Sequence, residues 1–232
     1  MTNIRRPAYR RLAVVDVEAT CGQGEGFRIN QEMQEIIELP CVIVDTERAE
    51  VVTEFDAIVR PTEIANLTPF CTQLTGITQH AVDKSAPLAE ALRVFDDFVR
   101  FNCPDGSFCV ATDGPWDVAV MLAGECSRKG IKPAPHWNKF FDVRTEFMEL
   151  YYPDDVGEPL PLADMLSSLG MKFEGRRHRG IDDARNIARV ACAILRDDMQ
   201  SRSATDRLGC QGSFLCPVLT GGVPEWPPKQ TM

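Results

Sequence analysis

The chain has 232 residues, of which 44% are hydrophobic and 25% charged, so it is long enough to form one globular domain with a sizeable core. No apolar run reaches membrane-spanning length, and the N-terminus lacks the apolar segment of a secretory signal. We therefore expect an intracellular protein, cytoplasmic or nuclear, that is not secreted and has no membrane partner. The net charge of −9 argues against an extended basic surface for binding a nucleic-acid backbone.

Strands come first in the predicted order of elements. Residues 11–18, 35–45 and 50–60 have the apolar content of three strands joined by short or glycine-rich connections. A helix is predicted over residues 86–101, where apolar side chains recur at helical spacing, and a short strand follows at 107–112.

The second half of the chain alternates helices with a strand. Another strand is predicted at 140–143, and helices are predicted over four segments: 115–129, 144–151, 160–169 and 181–197. This order predicts an α/β domain whose mixed sheet has three antiparallel strands extended by parallel strands.

The segment LAVVDVEATC, residues 12–21, places two acids inside an apolar run. Asp16 and Glu18 point to the same face of a strand because strand side chains alternate. Burial of two like charges a few ångströms apart is strongly unfavourable without a counter-charge. The segment therefore predicts a bound group that neutralises them.

Two later segments supply further acids. ATDGPWDVAVML leaves a strand and begins a helix, and it offers Asp113 and Asp117. In the last helix, Asp183 shares the apolar face and points inward, whereas Asp182 points to solvent, where capping of the helix is its expected role. Oxygen ligands from three segments indicate Mg²⁺ or Mn²⁺, and two such ions about 3.5–4 Å apart are the usual arrangement for phosphodiester hydrolysis.

Four motifs resemble those of the DEDDh 3′→5′ exonucleases, in the subfamily of the histone-mRNA 3′ exonuclease and the enhancer-of-RNA-interference nucleases. They are DVEATC, FCTQLTGIT, TDGPWD and HRGIDDARNIAR, and they occur in the order that the family has. The resemblance covers about residues 9–198 and implies a ribonuclease-H-like fold.

The resemblance also implies roles for individual residues. The acids that hold two metal ions in this family correspond to Asp16, Glu18, Asp117 and Asp183. His178 corresponds to the general base, and an imidazole with an ordinary pKa near 6.5 is suited to accept a proton from water at neutral pH. The family pattern selects Asp117 because its ligand directly follows an aromatic residue, which leaves Asp113 as a structural polar residue.

A pocket for the terminal nucleotide is implied by the same subfamily. Its aromatic residues stack on the terminal base, and its loop segment lines the pocket. These positions correspond to Phe70, Leu74, Thr75, Gly76 and Trp116. Thr20 lies just past the strand that carries Asp16 and Glu18, and we expect it to touch the same nucleotide.

The sequence therefore predicts a metal-dependent 3′→5′ exoribonuclease that releases 5′-mononucleotides from single-stranded or 3′-overhanging RNA. A DNA exonuclease is an open alternative, since the metal chemistry does not require a ribose 2′-hydroxyl. A non-cleaving module that binds RNA ends is the alternative from a different class.

Residues 9–198 are expected to form the exonuclease domain. The composition after Asp198 shifts to Ser, Thr, Gly and Pro, which predicts a poorly ordered C-terminal tail over residues 199–232. We expect this tail or a protein partner to select the RNA. Nine cysteines, an odd count without paired metal-site spacing, are typical of reduced residues in an intracellular protein.

Overall fold

The strands form one mixed sheet in the computed structural model, which describes residues 9–22, 33–155, 157–204 and 215–217. The strands are β1 (Arg11–Val14), β2 (Glu18–Ala19), β3 (Ile36–Asp45), β4 (Glu50–Arg60), β5 (Ala86–Pro87), β6 (Phe108–Thr112), β7 (Lys139–Asp142) and β8 (Leu215–Pro217). Their order across the sheet is β5-β4-β3-β1-β6-β7-β8, and β2 pairs with β3.

Helices connect and cover these strands. They are α1 (Pro69–Thr75), α2 (Gln79–Asp83), α3 (Leu88–Asn102), α4 (Ala123–Lys129), α5 (Val143–Tyr151), α6 (Leu162–Ser168) and α7 (Gly180–Ala204). A π-helix (Trp116–Leu122) runs directly into α4, and a short 3₁₀ helix (Pro135–Asn138) precedes β7. Among the described residues, no helix is both long and apolar enough to cross a membrane.

The pairing of the strands confirms the predicted mixed sheet. Strand β3 is antiparallel to both β1 and β4, whereas β6 is parallel to β1 and β7 is parallel to β6. Strand β8 then pairs antiparallel with β7 at the edge.

Alternation along β1 divides the core between the two faces of the sheet. Ala13 and Val15 pack with the apolar side chains of α3, while Leu12 and Val14 pack with those of α5, α6 and α7. Side chains at even positions of this segment therefore face α7, the helix that carries Asp183.

Three predicted elements differ from the structure by more than a shift of one or two residues at an end. The single strand predicted over 11–18 is two strands, because β1 ends at Val14 and the backbone N–H of Val17 turns to a side chain, Asp117. The helix predicted over 115–129 begins as a π-helix. Residues 199–204, predicted to lie in the tail, continue α7, and residues 215–217 form β8.

Two short helices, α1 and α2, are absent from the sequence prediction. Each begins after a threonine whose hydroxyl accepts a backbone N–H: Thr68 caps α1 and Thr78 caps α2. The seven cysteines whose side chains the structure describes are all free, as expected: Cys21, Cys41, Cys71, Cys103, Cys109, Cys126 and Cys192.

A buried ion network ties α4 to the start of β3. Lys129 donates to the carboxylates of Glu35 and Glu125, which are 0% and 1% exposed. Glu125 also accepts the N–H of Ile36 at 2.6 Å. Burial by itself raises the pKa of Glu35, but Lys129 and three backbone N–H groups hold it below its ordinary value.

Replacement of Lys129 by Met is expected to lower the free energy of unfolding by about 3–5 kcal/mol, because two buried carboxylates lose their counter-charge. The measurement is urea denaturation at neutral pH. Lys132→Met removes the same charge from an exposed position and serves as the control. Equal denaturation midpoints for the two variants would show that the network does not depend on Lys129.

Candidate active site

Three of the predicted ligands form one cluster at the end of β1. One ligand oxygen from each of Asp16, Glu18 and Asp183 lies within 4.8 Å of the others. Asp16 occupies the connection after β1, Glu18 begins β2, and Asp183 lies in the first turn of α7. Asp16 and Glu18, which the sequence predicts on one face of the first strand segment, therefore lie next to Asp183, which it predicts on the inward face of the last helix.

The fourth predicted ligand, Asp117, borders this cluster. It lies in the first turn of the π-helix and is 1% exposed. Its Oδ1 accepts the backbone N–H of Val17, the residue between Asp16 and Glu18, at 3.2 Å. The π-helical turn, a feature that is frequent at functional sites, thus brings Asp117 against the connection that carries the other two acids.

The start of α7 is hydrogen-bonded to a buried carboxylate that was not among the predicted site residues. Glu38 of β3 is 0% exposed and accepts the N–H groups of Gly180 and Ile181 at 3.0 and 3.1 Å. A Cβ on Gly180 would lie 2.5 Å from the Asp16 carbonyl oxygen, so this close approach requires glycine. Glu38 and Gly180 together therefore hold the first turn of α7, which carries Asp183, close to Asp16.

The pKa of Glu38 is raised to about 7. Burial and the charge of Asp56 raise it, while Arg179 and the two N–H groups at the start of α7 oppose them. Arg179 pairs with Glu38 at 3.3 Å and with Asp56 at 2.9 Å. Glu38 lies inside the apolar run IIELPCVIV, just as Asp16 lies inside an apolar run. The same pattern could therefore have identified Glu38 from the sequence.

His178 lies in the loop that leads into α7, five residues before Asp183. Its side chain is exposed, and its backbone has φ 62°, in the left-handed region that non-glycine residues rarely adopt. Such conformations often occur at functional sites, where the surrounding contacts hold them in place.

Helix α1, which carries the predicted nucleotide-binding residues Phe70, Leu74 and Thr75, is attached to the segment after Glu18. The Thr68 hydroxyl donates to the Cys21 carbonyl at 2.6 Å, and the Cys71 thiol contacts the Ala19 carbonyl at 3.7 Å. These contacts hold the start of α1 beside the end of β2.

The predicted substrate residues differ in exposure. Phe70, Leu74 and Trp116 are half-buried, and Gly76 is exposed. Trp116 also packs against the core on the α3 side of the sheet, and it directly precedes Asp117.

The two predicted threonines are buried, and their hydroxyls have partners within the fold. Thr75 donates to the Cys71 carbonyl and accepts the N–H of Ile77, so it shapes the end of α1. Thr20 is 1% exposed and accepts the N–H of Glu35 at 3.0 Å, which joins β2 to β3. Contact of Thr20 with a nucleotide stays a prediction.

Two acids that the sequence analysis placed outside the metal site have structural partners. Asp113 forms a two-pronged ion pair with Arg144, at 2.9 and 2.8 Å. Asp182 accepts the backbone N–H of Arg176 at 2.9 Å and pairs with Arg185 at 2.7 Å.

The donor set suits a hard divalent cation. The clustered ligands are carboxylate oxygens, the type that Mg²⁺ and Mn²⁺ prefer, and three carboxylates at this separation repel one another without a cation. An acidic cluster able to hold a divalent metal is therefore present.

The model of the exonuclease family matches residues 13–191. The chain belongs to this exonuclease family. A 3′-5′ exonuclease named Snipper from Drosophila melanogaster is 35% identical over 203 residues, which cover 82% of this chain and 70% of the relative. The 3′-5′ exoribonuclease 1 of Mus musculus is 32% identical over 224 residues, which cover 94% of this chain and 64% of the relative. The exonuclease described here therefore spans about two thirds of the length of these relatives.

A solved structure of an exonuclease has a similar fold. It is a 3′-exonuclease described by its 3′-end-specific recognition of histone mRNA stem-loop, and it matches with a TM-score of 0.73 and 32% identity. The match covers 83% of this chain and 84% of that one. The predicted ribonuclease-H-like fold, the predicted family and the predicted enzyme class, a 3′→5′ exonuclease, are confirmed.

Proposed function

We propose that this exonuclease is a metal-dependent exoribonuclease that removes 5′-mononucleotides from the 3′ ends of single-stranded or 3′-overhanging RNA. The single observation that carries the proposal is the cluster of Asp16, Glu18 and Asp183, whose ligand oxygens lie within 4.8 Å of one another. The activity of the mouse relative and the mRNA recognised in the solved structure support RNA as the substrate.

The proposed metal ligands are Asp16, Glu18, Asp117 and Asp183, for two ions of Mg²⁺ or Mn²⁺. When bound, such ions supply positive charge that stabilises the phosphodiester oxygens and promotes ionisation of the attacking water. We assign the acceptance of that proton to His178, because its loop directly precedes the helix that carries Asp183 and its exposed side chain is accessible to water.

Binding of the RNA end is assigned to local contacts, because a chain with net charge −9 has little long-range attraction for a polyanion. Phe70 and Trp116 are the proposed stacking surfaces for the terminal bases. Stacking on an aromatic ring does not depend on which base is present. Leu74, Thr75 and Gly76 are the proposed wall of the pocket, and Thr20 is a further proposed contact with the nucleotide.

Matched RNA and DNA oligonucleotides, labelled at either end, test the proposal in the presence of Mg²⁺. We expect 5′-labelled RNA to shorten by single nucleotides from the 3′ end, faster than DNA, and 3′-labelled RNA to release labelled mononucleotide first. Equal rates on both polymers would contradict the preference for RNA. Binding of RNA without shortening would instead favour the non-cleaving end-binding module.

A further inference from the structure

The loop that carries His178 is attached to α7 through its backbone. Asp182 accepts the N–H of Arg176 at 2.9 Å, and the carbonyl of Arg179 accepts the N–H groups of Asp182 and Asp183 at 2.8 and 3.0 Å. These bonds fix the loop where it enters the helix, on either side of His178.

The side chain of Arg176 extends in the other direction, to the end of α1. Its guanidinium Nη2 donates to the Gln73 carbonyl at 2.5 Å and lies 3.4 Å from the Leu74 carbonyl. Carbonyls in the last turn of a helix lack helical partners and carry partial negative charge, so a cation binds there favourably. Arg176 thus joins two segments that are about a hundred residues apart in the chain.

Gly76 makes room for this contact. A Cβ on Gly76 would lie 3.0 Å from Arg176 Nη1 and 3.1 Å from its Cζ, tighter than an ordinary van der Waals contact. Gly76 has φ 76° and ends α1, so its conformation also favours glycine. The pocket segment and the arginine are therefore packed directly against each other.

We propose that Arg176 is a positioning residue that couples the His178 loop to the nucleotide-binding end of α1. The guanidinium holds the loop against α1, so that the base and the bound 3′ end keep a defined relative position. The inference rests on the proposed function, because His178 must act as the base for its position to affect the rate.

Arg176→Met removes the two carbonyl contacts and keeps an unbranched side chain about as long as the aliphatic part of arginine. We expect kcat/KM on single-stranded RNA to fall about 10- to 100-fold, since hydrogen bonds from a charged group are lost. Arg176→Lys keeps a cation that can reach one carbonyl and is expected to lose less. The matched control is Arg177→Met, which removes the same charge from the same loop but whose guanidinium lies over the Phe173 ring, 5.6 Å from its centroid.

A double-mutant cycle with His178→Ala separates positioning from direct binding. If Arg176 acts through His178, Arg176→Met should cost less than about 2-fold in the His178→Ala background, whereas Arg177→Met should cost the same in both backgrounds. The rise in melting temperature on Mg²⁺ addition should be unchanged in Arg176→Met, because Arg176 is not a ligand.

Two outcomes overturn the coupling. One is full activity of Arg176→Met, and the other is an equal loss with and without His178, which would assign Arg176 to the substrate itself. A wild-type protein that does not cleave RNA would instead contradict the proposed function, so the two failures are distinguishable.

Discussion

Asp183→Asn is expected to reduce exonuclease turnover by about 10³-fold or more while the domain stays folded. The carboxylate is one of three whose ligand oxygens lie within 4.8 Å, and a divalent ion held there supplies several kcal/mol of charge stabilisation in the transition state. Asp16→Asn is expected to have the same effect, and EDTA should abolish wild-type activity.

Thermal melts with and without metal distinguish loss of the ion from loss of the fold. Mg²⁺ or Mn²⁺ should raise the melting temperature of the wild-type protein, because metal binds only the folded cluster, and should raise that of Asp183→Asn much less. Asp97→Asn makes the same change on the exposed side of α3, where Asp97 pairs with Arg93 and Arg100, and should behave as wild type. Full turnover of Asp183→Asn at saturating metal would refute the ligand assignment.

His178→Ala is expected to lower kcat by at least about 10²-fold and to leave metal-dependent RNA binding intact, since the imidazole moves a proton and is not a ligand. The wild-type rate should fall as pH decreases and the histidine becomes protonated, because a protonated imidazole cannot act as a base.

The pH profile is the decisive measurement for this residue. His178→Ala should lose the decrease at low pH, whereas His80→Ala, a change at an exposed histidine of α2, should keep both the rate and the profile. A profile that is identical in wild type and His178→Ala would assign the proton transfer to another group.

Local pattern was sufficient to predict that the three clustered acids, Asp16, Glu18 and Asp183, point into the fold. Alternation in a strand put Asp16 and Glu18 on one face, and helical spacing put Asp183 on the buried side of its helix. Those two periodicities depend only on local geometry. Alternation continues past the end of β1, where Val15 and Val17 pack in the same core cluster, and α7 buries its apolar face in the other cluster.

The family motifs added Asp117 and His178, which periodicity alone does not select. Alternation and spacing left Asp113 and Asp117 as alternatives. The structure separates them by their partners: Asp113 pairs with Arg144, whereas Asp117 accepts the N–H of Val17 beside the cluster.

Contacts between distant segments are what local pattern did not predict. Glu38 accepts two N–H groups from the start of α7, more than 140 residues later, and Arg176 reaches carbonyls of α1 about a hundred residues earlier. The break between β1 and β2 has a similar origin, because the Val17 N–H is taken by Asp117. Periodicity reports the face of an element on which a residue lies, but a hydrogen bond between elements depends on how the whole sheet and its helices pack, and only the tertiary structure sets that.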